Sequence, residues 1–264
     1  MKTIPCFHVD AFTDVPFRGN PAAVCLLDAA RPARWMQATA AEMNLSETAF
    51  VRPTAKGFSL RWFTPEIEVD LCGHATLATA HVLWQERIVA GPQELVFQTN
   101  SGRLTANRAG KAIELDFPQR LARPCARPAG LARALGCAPR AVARSEDDLL
   151  VEVASERLVR ELQPDLAMLR RLPVRGVIVT AKAAQKWDFV SRFFAPRVGV
   201  DEDPVTGSAH CSLAPYWAQR LGATRMRGFQ ASARGGVVEV EVRDDRVLLR
   251  GAAVTVVRGE LVAR

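Results

Sequence analysis

Lysine is nearly absent from this 264-residue chain: five lysines stand against thirty arginines, although the formal charge is +7. The arginines are scattered rather than gathered in blocks. That argues against a nucleic-acid-binding face and leaves attraction of a small anionic metabolite as the better use of the charge. No stretch approaches the roughly 18 uninterrupted apolar residues of a membrane span. The opening segment, MKTIPCFHVDAFTDVPF, alternates as a strand and carries Asp10 and Asp14. It lacks the apolar core and small-residue cleavage site of a secretory signal, so a cytoplasmic location is expected. The six cysteines (Cys6, Cys25, Cys72, Cys125, Cys137 and Cys211) never fall at C-x-x-C spacing. Both a zinc ribbon and a disulfide scaffold are therefore unexpected, and reduced, mostly packed thiols are expected instead. Four scattered histidines argue against a metal centre. What is present is ordinary: 48% hydrophobic and 24% charged residues, enough core for one large domain or two of the usual size.

The chain contains a duplicated passage. RWFTPEIEVDLCGHATLATAHVLW, from Arg61, lies against RFFAPRVGVDEDPVTGSAHCSLAPYW, from Arg192. The R-[WF]-F-x-P heads share an offset that grows by three residues at the G-[HS]-A tails, where Gly73 matches Gly207. Further on, Phe97 in VFQTNSGRL matches Phe229 in GFQASARGG. Each copy reads as a strand, a turn opened by proline, a loop ending in glycine, and an apolar helix. The second helix, over 208–221, contains Pro215, which works against it. Both helices are apolar nearly all round and are expected to be buried.

Alternating strand signals surround them in both halves. Further helices are expected over 32–44, 126–135 and 164–172, two of them opened by proline. PQRLARPCARPAG, residues 118–130, reads as a linker. The expected fold class is α+β, with two pseudo-symmetric lobes, each a mostly antiparallel, barrel-like sheet around a central helix. The lobes are placed at 1–118 and 119–264, with a C-terminal strand near 252–264 able to return to the first.

A helix opening has free N–H groups and a partial positive charge, so it can hold a carboxylate or oxyanion. Gly73-His74-Ala75 and Gly207-Ser208-Ala209 are two such openings. Facing one another across a cleft, they would form an anion clamp, and clefts between lobes commonly bind small ligands. Taken singly, each is more often a plain cap, with Ser208 serving the backbone. The duplication and the acids Asp201, Glu202 and Asp203 shift the balance toward function. Such a site needs a proton carrier, yet the residues alone rank Glu47 no higher than Glu42, Glu66 or Glu68.

VDAFTDVPFRGNPAAVCLL, NLSETAFV, RWFTPEIEVDLCGHATLATA and DEDPVTGSAHCSLAPYW together resemble the PhzF family of phenazine-biosynthesis-like isomerases, whose fold is similar to that of diaminopimelate epimerase. The resemblance implies an active site between the lobes, no cofactor and no metal, and suggests a homodimer. It implies that Glu47 shuttles a proton, with His74, Asp203 and Ser208 as its catalytic companions. The amides at Gly73 and Gly207 would bind the substrate carboxylate, and Asn20, Ala75, Thr206 and Ala209 complete the substrate-binding set.

Two alternatives stand beside this one. The first is a non-catalytic small-molecule-binding or scaffold protein of the same fold. The second is a thiol-based racemase using Cys72. Racemases of the two-thiol kind need a second base before the second helix, where this chain has Pro204, while Cys211 falls inside the helix. His81 and His210, also within the helices, are expected to be satisfied by hydrogen bonds.

Overall fold

The computed structural model describes residues 3–91 and 93–262. Residues 1 and 2 and the last two residues of the expected 252–264 strand lie outside the described residues. In chain order the first elements are β1 (Thr3–Ala11), β2 (Asn20–Leu26), α1 (Ala33–Met43), β3 (Glu47–Thr54), β4 (Gly57–Phe63) and β5 (Glu68–Val69). There follow α2 (Gly73–Gln85), β6 (Leu95–Thr99), β7 (Gly102–Ala109), β8 (Ala112–Pro118), β9 (Arg123–Pro124), α3 (Leu131–Leu135), β10 (Ala141–Arg144) and β11 (Asp148–Glu152). The rest are α4 (Glu156–Glu161), α5 (Leu166–Arg170), β12 (Gly176–Lys182), β13 (Phe189–Ala195), β14 (Val200–Asp203), α6 (Gly207–Leu221), β15 (Arg225–Gln230), β16 (Gly236–Arg243), β17 (Arg246–Gly251) and β18 (Ala253–Val262). The protein is thus of the α+β class, mostly sheet with few helices.

Residues up to Asp116, with those from Arg250 onward, form one compact unit, and Phe117–Leu249 form another. In the N-terminal unit β18, β1 and β2 pair antiparallel in turn, β2 lies parallel to β3, β3 antiparallel to β4, and β4 parallel to β6. β7 and β8 extend the sheet antiparallel. The C-terminal unit repeats the order: β9, β10 and β11 antiparallel, β11 parallel to β12, β12 antiparallel to β13, β13 parallel to β15, and β15 antiparallel to β16. The short strands β5 and β14 occupy equivalent places, each antiparallel to the end of a repeated R-[WF]-F strand.

Packing follows from the apolar faces. Helix α2 lies against β1, β2, β3 and β18, and its run from His74 to Ala80 is wholly buried. It needs no polar face because strands cover it on several sides. Full burial of a side chain such as Leu77 is worth about 2–3 kcal/mol. Helix α6 packs on β11, β15 and β16. Pro215 does not break it: a proline removes the N–H that would bond the carbonyl four residues back. Here that carbonyl, of Cys211, accepts from the backbone N–H of Arg120 at 3.0 Å instead. In the C-terminal unit Leu131, Val159 and Leu169 from α3, α4 and α5 pack with Leu149, Val177 and Val190.

Two local expectations are corrected, and one helix was not anticipated. The helix expected over 126–135 begins only at Leu131, because Pro128 and a left-handed Gly130 precede it. The helix expected over 164–172 is confined to Leu166–Arg170, with Asp165 capping it through Met168 N–H. A helix at Glu156–Glu161, capped by Ser155, lies where no element was expected.

Candidate active site

Three chain segments of the N-terminal unit converge where β2, β3 and α2 begin. Gly19 turns the chain into β2 with φ of +64°, and a Cβ there would lie 2.1 Å from the Ala11 carbonyl oxygen, so only glycine fits. The next residue, Asn20, is fully buried. Glu47 opens β3, two strand positions along from Asn20 in the parallel pairing of Ala22 with Glu47. His74 is the second residue of α2. Its Nε2 lies 3.0 Å from Glu47 Oε2, and its Nδ1 lies 3.2 Å from Asn20 Nδ2. Cys72 Sγ approaches the same ring, 3.6 Å from Nδ1. Glu47 keeps 19% of its side-chain surface exposed, whereas His74 and Cys72 are buried. The carboxylate is therefore the member of this group that a ligand can reach.

The electrostatics follow from that burial. Removal from water disfavours a charged His74, but the Cys72 sulfur and the Glu47 carboxylate more than offset it and hold the imidazole well above its ordinary pKa. Burial, and then the Glu47 charge, push the Cys72 thiol up, so the reactive thiolate is disfavoured. A buried imidazole against a partly exposed carboxylate is an arrangement for fixing that carboxylate in place. Ligand atoms of Glu47, Cys72 and His74 lie within 4.8 Å of one another and are the donor set able to take a divalent ion.

The C-terminal unit builds its own group at the start of α6. Asp203 accepts from the Thr206 hydroxyl. Gln230, fully buried, braces the turn by donating through Nε2 to the Asp203 carbonyl at 2.7 Å and accepting from Thr206 N–H at 2.9 Å. Ser208 Oγ lies 3.2 Å from Arg175 Nη2. Gly207 and Ala209 are buried in the first turn of the helix.

The acids of the VDED run have different fates. Glu202 is held by Arg192 through two bonds of 2.7 and 2.8 Å, and exposed Asp201 makes only a long 3.7 Å contact with Arg170. Asp203 alone belongs to the helix start. Arg61 and Glu68 repeat the Arg192–Glu202 clamp in the first copy, with two bonds of 2.6 Å. The arginine of each R-[WF]-F motif thus ties down the loop leading to its helix. Ser208 does not serve as a backbone cap: Thr206 is the N-cap, and no side chain caps the helix. His81 bonds Thr255 Oγ1 at 3.2 Å and His210 bonds the Thr206 carbonyl at 2.8 Å, as expected of helix histidines. Gln230 and Arg175 were not anticipated. Gln230 had one signal, the FQ dipeptide shared by the two copies; Arg175 had none.

A buried imidazole, a partly exposed carboxylate and glycine-led helix starts are set on a duplicated mostly antiparallel fold, and the relatives of this chain mark its class as isomerase. The match to known proteins makes this particular: residues 9–259 fit the model of the PhzC-PhzF family, described as phenazine biosynthesis-like protein, and the chain belongs to that family. An uncharacterized isomerase of Pseudomonas aeruginosa is 55% identical, with 97% of both chains aligned. Another, from Halalkalibacterium halodurans, is 51% identical over 99% of this chain and all of its own. The crystal structure of a PhzF-family phenazine biosynthesis protein from Enterococcus faecalis superposes with a TM-score of 0.95 at 41% identity, covering 99% of this chain and all of the other. No helix among the described residues is long and apolar enough to cross a membrane.

Proposed function

We propose that the protein moves a proton within a small carboxylate-bearing metabolite without a cofactor, Glu47 serving as acid and base. One observation carries this: the partly exposed Glu47 carboxylate lies 3.0 Å from the buried His74 imidazole. Glu47 takes a proton from a substrate carbon and returns it at another position. The bond electrons stay with the substrate as a delocalised anion between the two steps. His74 holds the carboxylate in place, and Asn20, on the far side of the ring, orients His74. The N–H groups of Gly73 and Ala75 at the start of α2 are assigned to a substrate oxygen, that of Ala75 being shared with the Cys72 sulfur.

On the strength of the family motif, Asp203, Thr206, Gly207, Ser208 and Ala209 are also assigned to the substrate. The expected setting is a cytoplasmic homodimer, which sedimentation of the purified protein tests.

The decisive experiment follows solvent deuterium entering carbon positions of candidate metabolites by NMR. Glu47→Gln should keep the fold and reduce exchange by about 100-fold or more, the usual scale for loss of a general base. Exchange at the wild-type rate in that variant would refute the assignment. A protein that binds the metabolite but never exchanges its protons would instead be a binding protein of this fold.

A further inference from the structure

In the repeated topology Gly176 stands where the first unit has Glu47, and an arginine, Arg175, stands one residue before it. Glu47 opens β3, which lies parallel to β2, and Gly176 opens β12, which lies parallel to β11. Arg175 immediately precedes Gly176. Glu47 reaches His74, the second residue of α2; Arg175 reaches Ser208, the second residue of α6. In each unit a charged side chain at or just before the start of this strand reaches the second residue of the helix, negative in the first and positive in the second.

Arg175 is held from behind. Its Nε and Nη2 donate to the two oxygens of Asp148 at 2.9 and 2.5 Å, and Asp148 is only 2% exposed. The guanidinium also lies 5.5 Å from the centre of the Phe193 ring. That ring packs so closely on Gly176 that a Cβ there would meet it at 2.4 Å, so the strand start is fixed as well. Arg175 nevertheless keeps 34% of its side-chain surface exposed. Among the described residues its Nη1 has no hydrogen-bond partner. A structural salt bridge would need neither this exposure nor the contact with Ser208.

The donor chemistry then follows. Arginine only donates hydrogen bonds, so Ser208 Oγ accepts from Nη2 and its own O–H is left to donate elsewhere. Nη1 and the Ser208 hydroxyl are two donors on adjoining groups, one of them charged. Of the nearby carboxylates, Asp148 pairs with Arg175 itself and Asp147 with Arg120 at 2.5 Å, while Asp203, bonded by the uncharged Thr206 hydroxyl, also acts on the guanidinium. What the group offers a ligand is directed donors rather than a broad positive field.

We infer that Arg175 and Ser208 form an oxyanion subsite that takes a carboxylate, with Asp148 positioning the guanidinium. This rests on the function proposed above only in taking the substrate to bear a carboxylate.

The test uses the full chain and sodium benzoate as the probe, with benzamide as its neutral counterpart, followed by 1H–15N NMR at constant ionic strength. Benzoate should give saturable shifts at the Arg175 Nε–H and the Ser208 amide, and benzamide should not. Ser208→Ala leaves the salt bridge intact and should weaken benzoate binding about three- to tenfold, the scale of one hydrogen bond. Combined Asp148→Asn and Arg175→Gln removes both charges together and should weaken it about tenfold or more. Absence of saturable shifts at Arg175 and Ser208, or equal affinity in wild type and Ser208→Ala, overturns the subsite. Because benzoate binding needs no proton transfer, it stands even if Glu47→Gln retains full isotope exchange.

Discussion

Replacing Arg192 by methionine tests whether the repeated arginine clamps hold the loops that lead to the helix starts. Arg192 is 11% exposed and Glu202 24%. The guanidinium makes two bonds to that carboxylate and two more, at 2.6 and 3.3 Å, to the Leu162 and Val159 carbonyls. Methionine keeps most of the apolar stem but leaves Glu202 and both carbonyls without their donor. Breaking a fully buried pair from one side costs about 3–5 kcal/mol. Glu202 can regain some water, which puts Arg192→Met near the lower end, about 3 kcal/mol. Arg61 makes only the two bonds to Glu68 and is 31% exposed, so Arg61→Met should cost about 1 kcal/mol. Urea unfolding followed by tryptophan fluorescence measures both, and added salt should shrink the Arg61 effect more than the Arg192 effect. If the two variants cost the same, or Arg192→Met costs under about 1 kcal/mol, burial is not what separates the two clamps and the reasoning fails.

Other consequences can be checked on the same protein. Burial pushes His210 down to about 4, so the unfolded chain takes up a proton near pH 6.5 that the folded one refuses. Stability should therefore fall by up to about 3 kcal/mol between pH 6.5 and 4, and His210→Gln should flatten that slope in pH-dependent unfolding. His74 acts with the opposite sign: raised in the fold, it stabilises below the unfolded value and loses that contribution as pH rises through its folded pKa. Gln230→Ala strips Thr206 N–H and the Asp203 carbonyl of their partner and should cost about 2 kcal/mol in thermal or urea unfolding. Cys72→Ser should retain most isotope exchange, since burial already disfavours the thiolate; its abolition would favour the thiol racemase.

Much of the architecture was legible because it is written in local pattern. The paired R-[WF]-F strands, the Phe97 and Phe229 strands and the two glycine-led helices all fall where the duplication placed them. Helix α1, expected over 32–44, occupies Ala33–Met43. The shortfalls occur where a local preference meets a neighbour. Pro215 was read as a threat to α6, yet its effect is offset by Arg120, 95 positions earlier in the chain. The acids of VDED could not be told apart by sequence, because their fates depend on which arginine each one meets.

By itself the sequence determined that two similar helices must be buried and that each begins at a glycine, since all-round apolar character and backbone freedom are properties of consecutive residues. Resemblance, not residue chemistry, selected Glu47 from among the glutamates. Only the tertiary structure put that carboxylate against His74, set Asn20 behind the ring, braced Asp203 with Gln230 and brought Arg175 to Ser208. Those pairings join residues far apart in the chain through strand register and sheet curvature. A one-residue change of register would turn the strand-borne Asn20, Glu47 and Gln230 to the opposite face.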